Sequence, residues 1–323
     1  MDILISIFSI IVGLILLVLG GNALVDGSVS IAKKYGISQA IIGLTIVAIG
    51  TSMPELIVSV LASIGGNPEI AIGNVLGSNI ANILLILGAS ACISPLILSK
   101  TTRFFDLPIV IFTSIFLFVL VSDIFLDNAD KNMVSRIDGM ILISVALVYI
   151  LYSLKHNNFI PDESEKVENI VSMGKAALWI IGGILILFIG GKILVDGAVN
   201  IANDFGISQA IIGLTIVAVG TSMPEFVTSI IAARRGNSDI AIGNVVGSNI
   251  MNILVILGVS AIISPLPFLD TSYIDLSVTL IAPILLLILS FAWTKNLLGR
   301  KEGILLMLSY MSYLAYLIYA EIG

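Results

Sequence analysis

The stretch GTSMPE, Gly50–Glu55, lies inside a long apolar segment, and the same six residues return at Gly220–Glu225. Each copy places a proline and a carboxylate where a lipid-buried helix tolerates neither. A proline in a helix interior removes one amide donor and clashes with the preceding turn, so Pro54 is expected to free the carbonyl of Gly50. Broken backbone at membrane depth persists only where it is buried in protein or lines a cavity. A charge such as that of Glu55 is costly inside a bilayer and calls for a partner or an ion. Freed carbonyls, the hydroxyls of Thr51 and Ser52 and the Glu55 carboxylate are all hard oxygen donors. That chemistry suits calcium, which takes about 6–8 oxygens, and sodium as a cation of similar size. The second copy supplies Thr221, Ser222 and Glu225, and two such half-sites meeting near the midplane would form one pocket.

The rest of the chain is built for lipid. Of 323 residues, 58% are hydrophobic and only 11% charged, with a mean hydropathy of +1.14. A soluble chain of this size needs more charge to cover its surface. Ten apolar stretches approach the bilayer-spanning length: 3–24, 37–64, 70–96, 104–122, 137–154, 174–202, 207–233, 240–264, 274–293 and 302–320. The longer ones imply tilt, kinks or extension beyond the lipid. The first does not read as a cleaved signal, because it opens with Asp2 and lacks a basic leader. Cys92 is the single cysteine, so an internal disulfide and a cysteine-type zinc cluster are excluded. The net charge of −6 says little where most charges lie in loops.

A shift of 170 residues aligns Gly20–Leu96 with Gly190–Leu266 without a gap, with 54 identities in 77 positions. GISQAIIGLTIVA (Gly36–Ala48) recurs unchanged at Gly206–Ala218, and AIGNVLGSNIANIL (Ala71–Leu84) returns as AIGNVVGSNIMNIL (Ala241–Leu254). The identities concentrate on Gly, Ser, Thr, Asn, Pro and Glu, which lipid-facing packing does not need. Repeated halves are a common plan of transporters. The expected division is a first five-helix repeat over 1–154, a linker over 155–173 and a second five-helix repeat over 174–323.

An odd number of spans per half turns the second half upside down, and loop charges test this separately, since basic residues favour the cytoplasmic side. Lys33 and Lys34 follow the first span, where the second copy has Asn203 and Asp204. SIGGNPE (Ser63–Glu69) becomes ARRGNSD (Ala233–Asp239), and Lys100 and Arg103 give way to a connection bearing Asp270 and Asp275. With both termini outside, Lys33, Lys34, Lys100, Arg103, Arg234, Arg235, Lys295, Arg300 and Lys301 all fall inside. The net acidic loop Val121–Asp138 then falls outside, and the polar segment Lys155–Lys175, with the only histidine, His156, is cytoplasmic. That segment is too short for a folded domain and reads as a linker. The expected fold is an all-α membrane protein with ten transmembrane helices in two inverted five-helix repeats, their helices discontinuous at the ion site.

The third span of each half adds GSNIAN (Gly77–Asn82) and GSNIMN (Gly247–Asn252). Ser78 and Asn82 are four apart and share a helical face, as do Ser248 and Asn252, and these four are read as ion ligands or their support. Asn79 and Asn249 stay open between that role and simple helix glue. Gly73 with Gly77, and Gly243 with Gly247, are small-residue pairs that permit close helix approach.

GTSMPE followed by GNVLGSNIAN, in two inverted copies, resembles the repeats of the calcium:cation antiporter superfamily, and most of all prokaryotic sodium/calcium exchangers. The resemblance covers nearly the whole chain. It implies four cation positions around two glutamates, with Glu55, Asn82, Glu225 and Asn252 at the centre. Thr51, Ser52 and Ser248 would flank one side, Thr221, Ser222 and Ser78 the other, and the carbonyls of Ala48 and Ala218 would join them. It further implies alternating access, the first and sixth spans sliding across the other eight. Some relatives carry Asp where this chain has Asn252, and the asparagine resembles the potassium-independent branch and removes one proton carrier. Calcium/proton exchangers of the superfamily usually show a GNAxE-like core in place of GTSMPE.

The expected function is thus electrogenic, potassium-independent sodium/calcium antiport in the cell membrane by a multi-pass monomer. Calcium and sodium are its transported ions and lipid its surroundings, without cofactor, enzymatic activity or nucleic-acid partner. Proton/calcium antiport is the alternative, and a cation channel a further one that the duplicated, discontinuous pocket disfavours. A metalloprotease of the HExxH type needs two histidines. Asp26 and Asp196, each in an LVDG motif, read as helix-end charges with gating as the other possibility. Lys192 is expected to snorkel to the outer interface, and Tyr310, Tyr313, Tyr316 and Tyr319 to act as packing and interface anchors.

Overall fold

The computed structural model describes residues 3–123, 131–156, 172–205, 218–269, 272–292 and 296–322. In chain order its helices are α1 (Ile3–Tyr35), the bent pair α2 (Gln39–Thr51) and α3 (Met53–Ile64), α4 (Pro68–Ile93), α5 (Thr102–Leu120) and α6 (Arg136–His156). These are followed by α7 (Met173–Asp204), α8 (Ala218–Thr221), α9 (Met223–Arg234), α10 (Ser238–Ile263), α11 (Ser272–Ala292) and α12 (Arg300–Ile322). Among the described residues, eight helices are long and apolar enough to cross a bilayer, and α2–α3, bent by 45°, makes up to nine. The expected span 207–233 begins outside the described residues, which hold only its α8 and α9 portion. Most of the second GISQAIIGLTIVA copy, the linker's centre, the middle of the Val121–Asp138 loop, Asp270 and Lys295 also lie outside them.

Helix α1 is 33 residues long, about 50 Å at 1.5 Å per residue, and so outruns both the expected 3–24 stretch and the hydrocarbon layer. Lys33 and Lys34 occupy its last turn, where cations complement the helix dipole. Gly36 then adopts φ +61°, a left-handed conformation that ends helices at little cost only for glycine. The hydroxyl of Ser38 accepts the Ile41 N–H at 3.2 Å and starts α2. Arg103, expected in a loop, instead lies in the first turn of α5, buried, with its guanidinium 5.5 Å from the Phe104 ring centre and 5.2 Å from that of Phe291.

The two longest helices, α1 and α7, meet along a seam of glycines. A Cβ on Gly13 would lie 2.8 Å from the carbonyl oxygen of Gly190, and one on Gly20 would lie 2.8 Å from that of Gly183. Gly27 backs on Ala176 and Gly197 on Ser6 in the same way. Partner numbers fall as α1 is followed forward, so these duplicated helices run antiparallel. Glycine spaced every seven residues keeps one stripe of each helix free of side chains, and the backbones touch. Gly243 and Gly247 of α10 likewise press on the backbone of Ala40 and Leu44 in α2, whereas Gly73 and Gly77 have no described neighbour within 4 Å of a built Cβ.

Two short antiparallel ladders tie the loops across the halves. Leu96–Ile97 (β1) pairs with Leu297–Leu298 (β4), and Met133–Val134 (β2) pairs with Leu266–Pro267 (β3). Helices α4 and α10 form the centre and are mostly buried, whereas the other spans lie mostly on the outside of the bundle. That burial keeps the serines and asparagines of the GSNIAN and GSNIMN motifs, carried by α4 and α10, away from lipid.

The seam yields a stability prediction. Gly20→Ala inserts a methyl against rigid backbone and should cost about 1–3 kcal/mol, seen as a lower melting temperature in detergent. Gly182→Ala, with nothing described within 4 Å, should be neutral or slightly stabilising. Equal melting temperatures for the two variants would contradict the seam.

Candidate cation site

The chain breaks at Ser52. Helix α2 ends at Thr51, Ser52 takes φ −82° and ψ 8°, and α3 begins at Met53 with Pro54 in its first turn. A missing N–H is harmless there. The proline therefore stands in the first turn of a new helix, and the expected discontinuity lies just before it, at Ser52. Ser222 repeats this with φ −85° and ψ 9° before Met223, Pro224 and Glu225. In both copies the glutamate lands in the first turn of a helix, where the positive end of the dipole favours a carboxylate. Glu55 and Glu225 are each 1% exposed.

The two halves hold each other's glutamate. The Ser222 hydroxyl donates to Glu55 Oε1 at 3.1 Å, and the Ser52 hydroxyl donates to Glu225 Oε1 at 2.9 Å. Ser248 donates to the same Glu225 oxygen at 3.4 Å and receives Ser52 at 3.0 Å. The other carboxylate oxygens, Glu55 Oε2 and Glu225 Oε2, are buried with no hydrogen-bond partner among the described residues. Asn82 Oδ1, Asn252 Oδ1 and Ser78 Oγ share that condition.

The asparagines explain how those oxygens stay free. Asn82 spends its amide N–H on Asn249 Oδ1 and Asn252 spends its own on Asn79 Oδ1, both at 2.9 Å. Asn79 in turn donates to the Asn249 carbonyl at 3.2 Å and Asn249 to the Asn79 carbonyl at 3.1 Å. Asn79 and Asn249 are thus a crossed brace between α4 and α10 that sets the orientation of Asn82 and Asn252. The backbone widens into π-helix over Ala81–Leu87 and Asn252–Leu257, so the expected four-residue stacking of Ser78 on Asn82 and of Ser248 on Asn252 is loosened at its far end.

The flanking residues divide. Ser52 and Ser248 meet at Glu225 as expected, and Ser222 meets Glu55. Thr51 instead donates to Asn244 Oδ1 at 2.9 Å, and Thr221 to Asn74 Oδ1 at 3.4 Å. The Ala48 carbonyl accepts the Ser52 N–H at 3.0 Å and the Thr51 hydroxyl at 3.4 Å, so helix closure already engages it. Ala218 opens α8, with the residues before it outside the described set. Asn74 and Asn244 were missed from sequence. Each donates to the backbone carbonyl of its half's glutamate, at 3.2 and 3.3 Å, and to Ser59 or Ser229 at 3.0 Å. The signal was present, since Asn74, Ser78 and Asn82 step by four and stand unchanged in both copies.

Among the described residues, no three His, Cys, Asp or Glu side chains cluster as a metal site. The pocket's donors are two carboxylates surrounded by neutral amide and hydroxyl oxygens. With both carboxylates ionised it carries a formal charge of −2, suited to a hard cation stripped of water.

Comparison with known proteins agrees with that chemistry. The family model described as sodium/calcium exchanger protein matches residues 5–155 and 175–319. The sodium/calcium exchanger MaX1 of Methanosarcina acetivorans is 34% identical over 352 aligned positions, covering 96% of this chain and 97% of MaX1. The inner membrane protein YrbG of Escherichia coli is 35% identical, covering 92% of each chain. A solved structure of the sodium-calcium exchanger NCX_Mj, soaked with sodium and strontium, superimposes with a TM-score of 0.83 at 34% identity, covering 97% of this chain and 99% of that one. The chain belongs to the sodium/calcium exchanger family, among the calcium:cation antiporters of prokaryotic type.

Proposed function

We propose that the protein exchanges sodium for calcium across the cell membrane by alternating access, with the cation bound at the crossed glutamates. One observation carries the reading: Glu55 Oε2, Glu225 Oε2, Asn82 Oδ1 and Asn252 Oδ1 are buried oxygens without a partner among the described residues. Buried acceptors normally find a donor, and these four, with Ser78 Oγ beside them in the same condition, call for a cation. Thr51, Ser52, Ser78, Ser248, Thr221 and Ser222, with the carbonyls of Ala48 and Ala218, complete the proposed set of cation positions. Relatives named as sodium/calcium exchangers support the choice of ions.

Antiparallel packing of α1 on α7 and the reciprocal serine–glutamate contacts support two inverted five-helix repeats, 1–154 and 174–323, joined by a cytoplasmic linker over 155–173. With both termini outside, the Lys33 end of α1 is cytoplasmic and the Asp196 end of α7 faces outward. The protein acts as a monomer, since the crossed pairs join two halves of one chain.

Charge counting sets the coupling. One calcium ion neutralises the pocket, whereas three sodium ions, the number implied by the family, leave it at +1. One net charge then moves per cycle, worth about 2.3 kcal/mol per 100 mV, or nearly fifty-fold in the calcium ratio. Neither carboxylate has an acidic neighbour at Asn82 or Asn252, which removes a natural proton carrier and favours sodium over proton coupling.

Glu55→Gln and Glu225→Gln should each abolish calcium flux in proteoliposomes, because the divalent ion is left underneutralised. Near-normal flux in both would sink the site. In vesicles without potassium, an outward sodium gradient should drive calcium in, and an inside-positive potential should strengthen the uptake. A pH gradient alone should do little; uptake that follows protons and ignores sodium would replace this function by proton/calcium antiport. For topology, a cysteine at Lys33 in a Cys92→Ser background should react with an impermeant reagent only from the cytoplasm, and one at Asp204 only from outside. Reaction of both from the same side would refute the inversion.

A further inference from the structure

The two LVDG aspartates, duplicated in sequence, stand in opposite surroundings. Asp26 on α1 is paired with Arg235, which also donates to Asn22. On that side α1 lies tightly on α9: a Cβ on Gly21 would meet Ile231 at 2.8 Å and Val227 at 3.3 Å. At the duplicated position Gly191, the nearest described atom is Pro224 Cδ at 3.9 Å, and a cavity of about 290 Å³ opens between α7 and α3. Its walls include Pro54, Val58, Phe188 and Thr221, and at its rim stand Lys192 and Asp196. Both of these are exposed, four residues apart on one face of α7. Gly65 stands where Arg235 has its duplicate, so no arginine reaches Asp196, and it has no hydrogen bond or ion pair among the described residues.

We infer that Asp196 is the recruiting acid of the open face: it gathers the cation into the cavity that ends at Thr221 and the helix breaks, while Lys192 opposes it and moderates the attraction. An acid with no ion pair at the mouth of a cleft with apolar walls raises the local concentration of cations, and Lys192 at the same rim lowers that effect. The cavity's remaining lining is apolar apart from Thr221, so among the described residues that line it Asp196 is the one negative charge. On the opposite face the same attraction is cancelled by Arg235. The assignment rests on the exchange reading above and deepens it by giving one face a charge that the other lacks. The outward Lys192 is accordingly a cavity residue, not only an interface anchor.

The test is calcium uptake by the full-length protein in proteoliposomes of uniform orientation, with calcium titrated from each face. A unit charge acting on a divalent ion across roughly 8 Å of water predicts about a fivefold change at low ionic strength. Asp196→Asn should therefore raise the half-saturating calcium concentration about fivefold from its own face only, with the maximal rate retained. The effect should shrink as salt is added, with the Debye length falling to about 8 Å at physiological ionic strength. Lys192→Gln should lower the same constant. In a Cys92→Ser, Asp196→Cys variant, a negatively charged thiol reagent should restore the low constant and a positively charged one should raise it further. Unchanged constants, equal shifts on both faces, a lost maximal rate at unchanged constant, or insensitivity to reagent sign would each overturn the assignment. Absence of calcium uptake by the unmodified protein would instead count against the exchange function.

Discussion

Two serine-to-glutamate hydrogen bonds, each made across the halves, are the contacts on which the remaining architecture depends. A buried carboxylate pays heavily for lost water, and this chain offsets that cost twice over. The helix breaks put Glu55 and Glu225 in the first turns of α3 and α9, and the opposite half donates a hydroxyl to each. Neither half can build the site alone, because Ser52 serves Glu225 and Ser222 serves Glu55. The glycine seam, the asparagine brace between α4 and α10 and the two short ladders keep those partners within hydrogen-bond reach.

The asparagines serve a different purpose. An amide has two N–H donors and an oxygen acceptor, so a crossed brace can fix the amide through one N–H and leave its oxygen without a partner. Asn79 and Asn249 occupy the donors of Asn252 and Asn82, and the oxygens of that pair are left over. Asn74 and Asn244 secure the backbone carbonyls of the two glutamates. The network is neutral throughout, so the charge of the pocket comes from Glu55 and Glu225 alone.

Much of this was legible in the residues. A proline and a glutamate recurring in an apolar setting pointed to broken helices, and the break lies at Ser52, one residue before the helix that carries Pro54. The polar identities of the third-span motif pointed to Asn82 and Asn252, both buried at the centre. Less was readable where a role depends on a partner far along the chain. The destinations of Thr51 and Thr221 are set by Asn244 and Asn74 of the other half, and no local spacing reveals that. Asp26 and Asp196 sit in the same four-residue motif, and only tertiary packing separates the paired acid from the open one. The π-helical widening at Ala81–Leu87 is likewise a product of packing, since its residues carry no glycine or proline to announce it.

The seam between α1 and α7 bears on how tightly an antiporter can hold two gradients together. Backbones in direct contact at Gly13, Gly20, Gly27, Gly183 and Gly190 leave no room for one helix to shift while the other stays. The pair borders the tightly packed side at Gly21 and the cavity side at Gly191, so under the proposed exchange a displacement that admits solvent on one side would withdraw it from the other. A carrier with independently hinged helices would pass through moments with both doors ajar, dissipating both gradients. Here the interlock is built into the absence of side chains.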